Sequence, residues 1–425
     1  MHPWRSAHFQ IAKFSNYQIT LQFKEVIGQQ DLKTQLTQLL QQNRLSHALL
    51  FLGREGSGAL PMALAFAQYI VCENNGINIK KAAAAEPSLF GDPEPINQST
   101  DQPTTDSCGS CPACIKCAQL IHPDIHFSYP VITQKSGDKP VSTDFIVQWR
   151  DFISQNPYGN NYDWLQFIGA ENKQGNITAH ECNDIIRKLS LKSFESGYKI
   201  LVMWMPELLG KEGNKLLKLI EEPPPDTLFI LVAENEALIL QTILSRTQLI
   251  KVPMLHEEEI KNALETREDI PDPKAAQIAL NSEGNYHEAL QQIQHADDDW
   301  EVLLRDWLNS IVKTGPAAQV KWIEETAKLG REKQKQFLRY FTHLLQQAIR
   351  ISVMPAETQE TDSAQLDFAR RLNKLCDLSQ KEAIAEELDR AAYYIERNAN
   401  AKMLFHALTI RLYHIISNKS VILIQ

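Results

Sequence analysis

Four cysteines fall within ten residues of this chain, at Cys108, Cys111, Cys114 and Cys117, each separated from the next by two residues. Thiolates at that spacing are a donor set for a tetrahedral divalent ion, Zn²⁺ first among them. A bacterial iron–sulfur site also begins C-x2-C-x2-C, but it continues x3-C-P. Here Cys117 comes after only two residues and precedes Ala118, so zinc is the favoured reading. A catalytic zinc keeps an open position and includes His or carboxylate, so an all-cysteine set points to a structural ion.

A second stretch has the outline of phosphate chemistry without its working parts. A nucleotide loop reads G-x-x-x-x-G-K-[ST]: backbone amides cradle the phosphates, Lys reaches the β and γ oxygens, and the hydroxyl holds Mg²⁺. In Gly53-Arg54-Glu55-Gly56-Ser57-Gly58-Ala59-Leu60 the terminal glycines keep their spacing, but Ala59 stands at the Lys position and Leu60 at the hydroxyl position. The carboxylates that should end the next core strand are also missing. Trp204 and Met205 stand there, and Glu207 is two positions out of register. Neither Trp nor Met ligates Mg²⁺ or acts as a general base. Hydrolysis is therefore not expected, while binding of a nucleotide by the glycines alone stays open. The structural alternative is a left-handed glycine turn joining strand to helix.

The loop follows a short apolar strand, Ala48 to Leu52, and precedes a helix from Pro61 to about Cys72. That is the strand–turn–helix order of a phosphate-binding unit. An amphipathic helix carrying Leu32, Leu36, Leu39 and Leu40 lies upstream. Residues 73–107 are rich in Ala, Pro and small polar residues and read as a surface insertion. Between 177 and 250 the pattern alternates: a helix from Thr178 to Leu191, a strand Lys199 to Met205, a short helix Asn214 to Glu221 and a strand Thr227 to Ala233. The prolines at 223–225 separate helix from strand. Alternation of this kind predicts an α/β domain with a mostly parallel sheet. After Pro253 only helical periodicity remains. Phe337, Phe341, Leu344, Leu345, Ala348 and Ile349 mark one apolar stripe, and Leu404, Leu408, Leu412, Ile415 and Ile416 another.

Composition narrows the function classes. The 425 residues suit two to four domains, and an ordinary mix of 43% hydrophobic and 22% charged residues excludes wholesale disorder. No apolar run reaches the ~18 residues of a membrane span, and the N-terminus lacks a secretory leader, so a reducing cytoplasm is expected. In that compartment the cysteine cluster reads as a metal site before it reads as disulfides. A net charge of −9 makes a poor stand-alone nucleic-acid binder, because non-specific affinity depends on Lys and Arg neutralising phosphates.

The segment Lys215-Leu216-Leu217-Lys218-Leu219-Ile220-Glu221-Glu222-Pro223-Pro224, followed by strand 227–233 and Ile243-Leu244-Ser245-Arg246-Thr247, resembles clamp-loader subunits of the AAA+ superfamily. Phe23-Lys24-Glu25-Val26-Ile27-Gly28-Gln29, Leu45 to Leu50, Cys108-Gly109-Ser110-Cys111 and His122-Pro123-Asp124 agree with it. Their order and spacing are similar to the delta-prime subunits of bacterial DNA polymerase III over roughly residues 22–295, and more loosely beyond.

The resemblance implies a fold and a division of labour. Expected are an N-terminal extension (1–21), an AAA+ α/β domain (22–253) with insertion 73–107 and zinc knuckle 108–117, a helical lid (254–295) and an all-α collar (296–425). It implies an ATPase-dead scaffold in a pentamer with motor subunits and a delta subunit, working with the sliding clamp and primer–template DNA in a bacterial cytoplasm. Such a role fits an acidic chain whose surfaces face other subunits. The family inserts the Arg of its Ser-Arg-Cys motif into a neighbour's ATP site, which implies that role for Arg246, with Ser245 beside it and Thr247 in place of Cys. Where active relatives carry an Arg in the lid, this sequence has Gly284-Asn285-Tyr286-His287. The family's zinc ligands correspond to Cys72, Cys108, Cys111 and Cys114, leaving Cys117 as a spare thiol or alternative ligand. Any DNA contact is expected through Arg187 and Lys188. The rival readings are an ATP-hydrolysing motor subunit of the same loader and a stand-alone zinc-binding interaction protein.

Overall fold

Five short strands assemble one parallel sheet: β1 (Ala48–Leu52), β2 (Ile125–Ser128), β3 (Lys199–Trp204), β4 (Thr227–Ala233) and β5 (Gln248–Lys251), in the order β2-β3-β4-β1-β5. The computed structural model describes residues 21–75, 104–133, 135, 137–170, 174–294, 300–353, 364–396 and 399–418. Expectations placed on residues 1–20 and on 76–103 of the insertion lie outside the described residues.

Alternation along the strands separates two buried faces, as the two-residue period of a strand requires. Leu49 and Phe51 of β1, Ile200, Val202 and Trp204 of β3, and Leu228, Ile230 and Val232 of β4 point to one side. Ala48, Leu50, Leu201, Met203, Phe229, Leu231 and Ala233 point to the other. Both faces are covered by helices, which is why the three central strands are apolar after Lys199 and Thr227 at the starts of β3 and β4, rather than amphipathic. On the first side lies the helix Ala59–Val71, buried at every position, and beyond it an aromatic cluster. Trp149, Phe152 and Trp164 of that cluster come from the helices Ile146–Gln155 and Asn161–Phe167, and Tyr129 stacks on Trp149 at 4.1 Å between ring centroids. On the second side the helix Ala179–Leu189 packs through Cys182, Ile185 and Leu189.

The stretch after β3 departs from the sequence expectation of one α-helix over Asn214 to Glu221. Pro206–Leu216 winds as 3₁₀ helix with a break at Gly210, whose φ is +51°, and only Leu217–Glu221 is α-helical. Glycine tolerates that left-handed backbone without a Cβ penalty.

The chain divides into two compact units at residue 294/295. The first ends in three helices, Glu257–Arg267, Asp272–Asn281 and Tyr286–Gln294, around Ile260, Leu264, Ile278 and Ala289. The second is all helical. In it Phe337, Phe341, Leu344, Leu345 and Ala348 of Arg331–Val353 meet Leu408, Leu412, Ile415 and Ile416 of Ala401–Asn418 in one core, with Trp307 stacked on Trp322 at 4.5 Å. Both predicted stripes are thus core packing. Among the described residues no helix is long and apolar enough to cross a membrane.

Candidate functional site

The four sulfurs that converge belong to Cys72, Cys108, Cys111 and Cys114, all within 4.8 Å of one another. Tetrahedral Zn–S bonds of ~2.3 Å place sulfurs about 3.8 Å apart, and Cys108 Sγ and Cys114 Sγ lie at 3.9 Å. Cys72 ends the helix that follows the glycine loop, while the other three stand in a knuckle whose short helix Pro112–Ala118 starts at Cys111. Backbone N–H groups already point at the sulfurs: Cys108 N donates to Cys72 Sγ (3.4 Å), Cys111 N to Cys108 Sγ (3.3 Å) and Cys114 N to Cys111 Sγ (3.4 Å). Such donors favour thiolate over thiol. The Cys114 thiol donates to Cys72, and Cys72 is brought down to about 5, helped by the Cys108 N–H, while Cys114 is pushed up by the same pairing and by burial. Cys117, one helical turn on, is buried among apolar side chains outside the converging group, and its burial pushes the thiol up.

His122 and Asp124 hold the knuckle to the sheet rather than entering the cluster. His122 Nδ1 accepts from Asp124 N, and the buried Asp124 carboxylate accepts three backbone N–H groups, from Phe194 (2.5 Å), Glu195 (2.9 Å) and Ser196 (2.7 Å). Burial opposes the charge, but those donors hold the carboxyl below its ordinary value. Asp124→Ala is therefore expected to cost about 2–4 kcal/mol by denaturant unfolding, since it strands buried N–H groups that bonded a charge.

At the glycine loop the left-handed turn forms, and Ala59 and Leu60 begin the helix where the motif has its Lys and hydroxyl. Gly56 and Gly58 adopt φ of +73° and +88°. Ser57 N, however, donates back to Arg54 O at 3.1 Å, so that amide is already used within the loop. A small cleft adjoins the loop, bounded by Leu60, Tyr158, Trp204 and Glu234. Trp204 is buried against Trp149 at 5.4 Å and Phe152 at 6.2 Å, which makes the place of a metal-binding carboxylate part of the aromatic core. Met205 is left-handed at φ +60° and buried. Glu207 is engaged elsewhere than in that cleft's lining: its carboxylate accepts from Glu234 N and Asn235 N, and burial raises it above the ordinary range.

Arg246 follows the short helix Gln241–Leu244 and is partly exposed. Its Nε donates to Glu221 of the Leu217–Glu221 helix at 2.5 Å, and its NH1 to Thr242 O (2.7 Å) and Ser245 Oγ (3.1 Å). Ser245 and Glu221 thus fix the direction of the guanidinium. Arg187 and Lys188 both pair with Asp184, and Lys188 also reaches Thr143. Sequence reasoning missed Glu221 as the partner of Arg246, although it stood in a quoted motif.

A strand, a glycine turn and a helix on a five-stranded parallel sheet define a phosphate-loop type of α/β domain, here with Ala59 and Leu60 at the positions of the motif's Lys and hydroxyl. The family model described as "DNA polymerase III, delta subunit" matches residues 28–87 and 96–256, more than half of the chain, and the protein belongs to that family. Among curated proteins the chain is 25% identical over 252 residues to DNA polymerase III subunit delta' of Bacillus subtilis (strain 168), covering 59% of this chain and 55% of that protein. It is 24% identical over 240 residues to subunit delta' of Haemophilus influenzae, covering 55% and 53%. Subunit tau/gamma of the same organism is 23% identical over 280 residues, covering 64% of this chain and 30% of that protein. The match therefore spans about half the length of the delta' relatives.

Proposed function

We propose that the chain is a delta-prime-type subunit of a DNA polymerase III clamp loader that does not itself hydrolyse ATP. The observation that carries this reading is the double loss at the nucleotide site: Ala59 and Leu60 for the Lys and hydroxyl, and a core-packed Trp204 where a carboxylate is needed. The α/β part (22–253) acts as an AAA+ scaffold, the helices of 254–295 as its lid and 296–425 as the collar joining it to motor and delta subunits. Through that pentamer it serves the sliding clamp and primer–template DNA.

Arg246 is the group offered to a neighbour. A guanidinium fixed by Ser245, Thr242 and Glu221 suits stabilisation of charge on a transferring phosphoryl group in another chain. Zn²⁺ fits the four converging thiols, with Cys72, Cys108, Cys111 and Cys114 as ligands, and would brace the knuckle against the helix Ala59–Val71. The retained turn without Lys or Mg²⁺ ligands weighs against the motor-subunit reading.

The test is reconstitution. Purified alone, the chain is expected to release no phosphate from ATP above buffer, and mixed with motor and delta subunits it is expected to co-elute as one complex. ATP turnover by the isolated chain, or failure to join the complex, would overturn the proposal.

A further inference from the structure

The glycine loop is already engaged from inside the chain. His287, in the first turn of Tyr286–Gln294, is 3% exposed and lies between two carboxylates: Nδ1 is 2.9 Å from Glu55 Oε1 of the loop, and Nε2 is 2.7 Å from Asp163 Oδ2. Both ring nitrogens can donate at once only in the imidazolium form. Burial alone would neutralise the ring, yet Asp163 and Glu55 together hold it charged well above the ordinary histidine value.

The main chain closes the same contact. Tyr286 N donates to Gly56 O at 3.2 Å, and a Cβ on Gly56 would collide with the Asn285 carboxamide. That carboxamide caps the helix by accepting from Glu288 N at 3.0 Å. The Tyr286 ring meets Tyr158 edge-on at 5.0 Å, and Tyr158 OH accepts from Ile27 N at 2.8 Å. Asp163 is fixed separately by a reciprocal cap with Asn160.

We infer that His287, Glu55 and Asp163 form an ionic latch that holds the helix Tyr286–Gln294 on the glycine loop without any bound ligand. In a nucleotide-driven site a cation from the lid would meet phosphate, whereas here the loop supplies its own anion. A phosphate entering the cleft would face Glu55, a like charge that lines it, in a partly buried setting where repulsion is weakly screened. This inference rests on the reading of a non-hydrolysing subunit with a lid, and it adds that the lid is closed constitutively.

Hydrogen exchange of the full-length chain at one fixed pH tests it, because exchange reports local opening of elements such as this helix. Glu55→Gln and His287→Ala are each expected to raise exchange of peptides spanning 53–60 and 286–294 by about tenfold or more, with β1, β3 and β4 unchanged. The double variant should exchange no faster than the His287→Ala single variant, because that change already removes the Glu55 contact. Millimolar ATP with Mg²⁺ should leave wild-type protection unaltered. Unchanged exchange in both single variants, fully additive effects, or extra protection from ATP would each overturn the latch. If His287→Ala fails to fold, Glu55→Gln, whose amide oxygen still accepts, carries the test. Because the readout needs no partner subunits, a failed latch with normal assembly leaves the scaffold reading standing, and the reverse holds too.

Discussion

Cys114→Ser is expected to purify with almost no zinc, whereas wild type and Cys117→Ser each retain about one ion per chain. The contrast follows from placement. Cys114 is fully buried and its sulfur is among the four that converge, while the Cys117 sulfur packs into the apolar core away from them. A serine hydroxyl at position 114 would be a poor zinc donor and would leave three thiols with no shared ion. The loss of stability should exceed about 5 kcal/mol, the upper tail of single substitutions where loss of a metal belongs. The reason is that an ion on these four sulfurs would tie two segments far apart in sequence, the end of Ala59–Val71 and the knuckle at Cys108 to Cys114, so its loss would free both. Cys72→Ser should behave like Cys114→Ser, because Cys72 is the sole ligand from the first segment. Zinc content by elemental analysis and the denaturant midpoint are the two measurements. Full zinc in Cys72→Ser with none in Cys117→Ser would reassign the fourth ligand.

The fourth ligand also shows where the sequence stops being sufficient. Spacing alone favours Cys117, three residues from Cys114. Only the family resemblance or the folded chain brings in Cys72, 36 residues from Cys108. The strands divide the same way. β1, β3 and β4 were legible because strands covered on both faces are apolar without interruption. β2 and β5 form the two edges of the sheet, run only four residues each and carry polar positions such as His126, Gln248 and Lys251, so neither stood out. The missing Lys, hydroxyl and carboxylates could be read directly, since a motif defines what each position should hold. What replaced them could not. Glu55 and Asp163 stand 232 and 124 residues from His287, and nothing local to either marks it as a partner of a buried ring. Arg187 and Lys188 illustrate the converse: as basic residues they suggested phosphate contact, but each has an acidic partner one turn away at Asp184.

Arg246→Ala is expected to slow the one ATP site that receives this side chain by about 10³-fold or more, the scale of an arginine finger in GTPases. On the proposed reading the chain hydrolyses no ATP itself, so the effect is expected in a neighbour's turnover. Steady-state hydrolysis then distinguishes two ways of firing. If motor sites fire independently, total turnover falls only by the share of the affected site; if they fire in concert, the whole DNA-stimulated rate collapses. Single-turnover measurements on the reconstituted complex isolate the affected site in either case. Assembly should be untouched, because Arg246 is partly exposed and bonded only to nearby groups, Glu221, Thr242 and Ser245. Arg246→Lys should not rescue the rate, since an ammonium lacks the planar fork that can bond Glu221 and a phosphoryl oxygen together. Glu221→Gln supplies the finer test. With its carboxylate gone the guanidinium loses a fixed direction but keeps its charge, so a partial fall in the single-turnover rate, with complex formation intact, identifies Glu221 as a positioning residue. Unchanged turnover in Arg246→Ala would remove this chain from the chemistry and leave it a structural member of the ring.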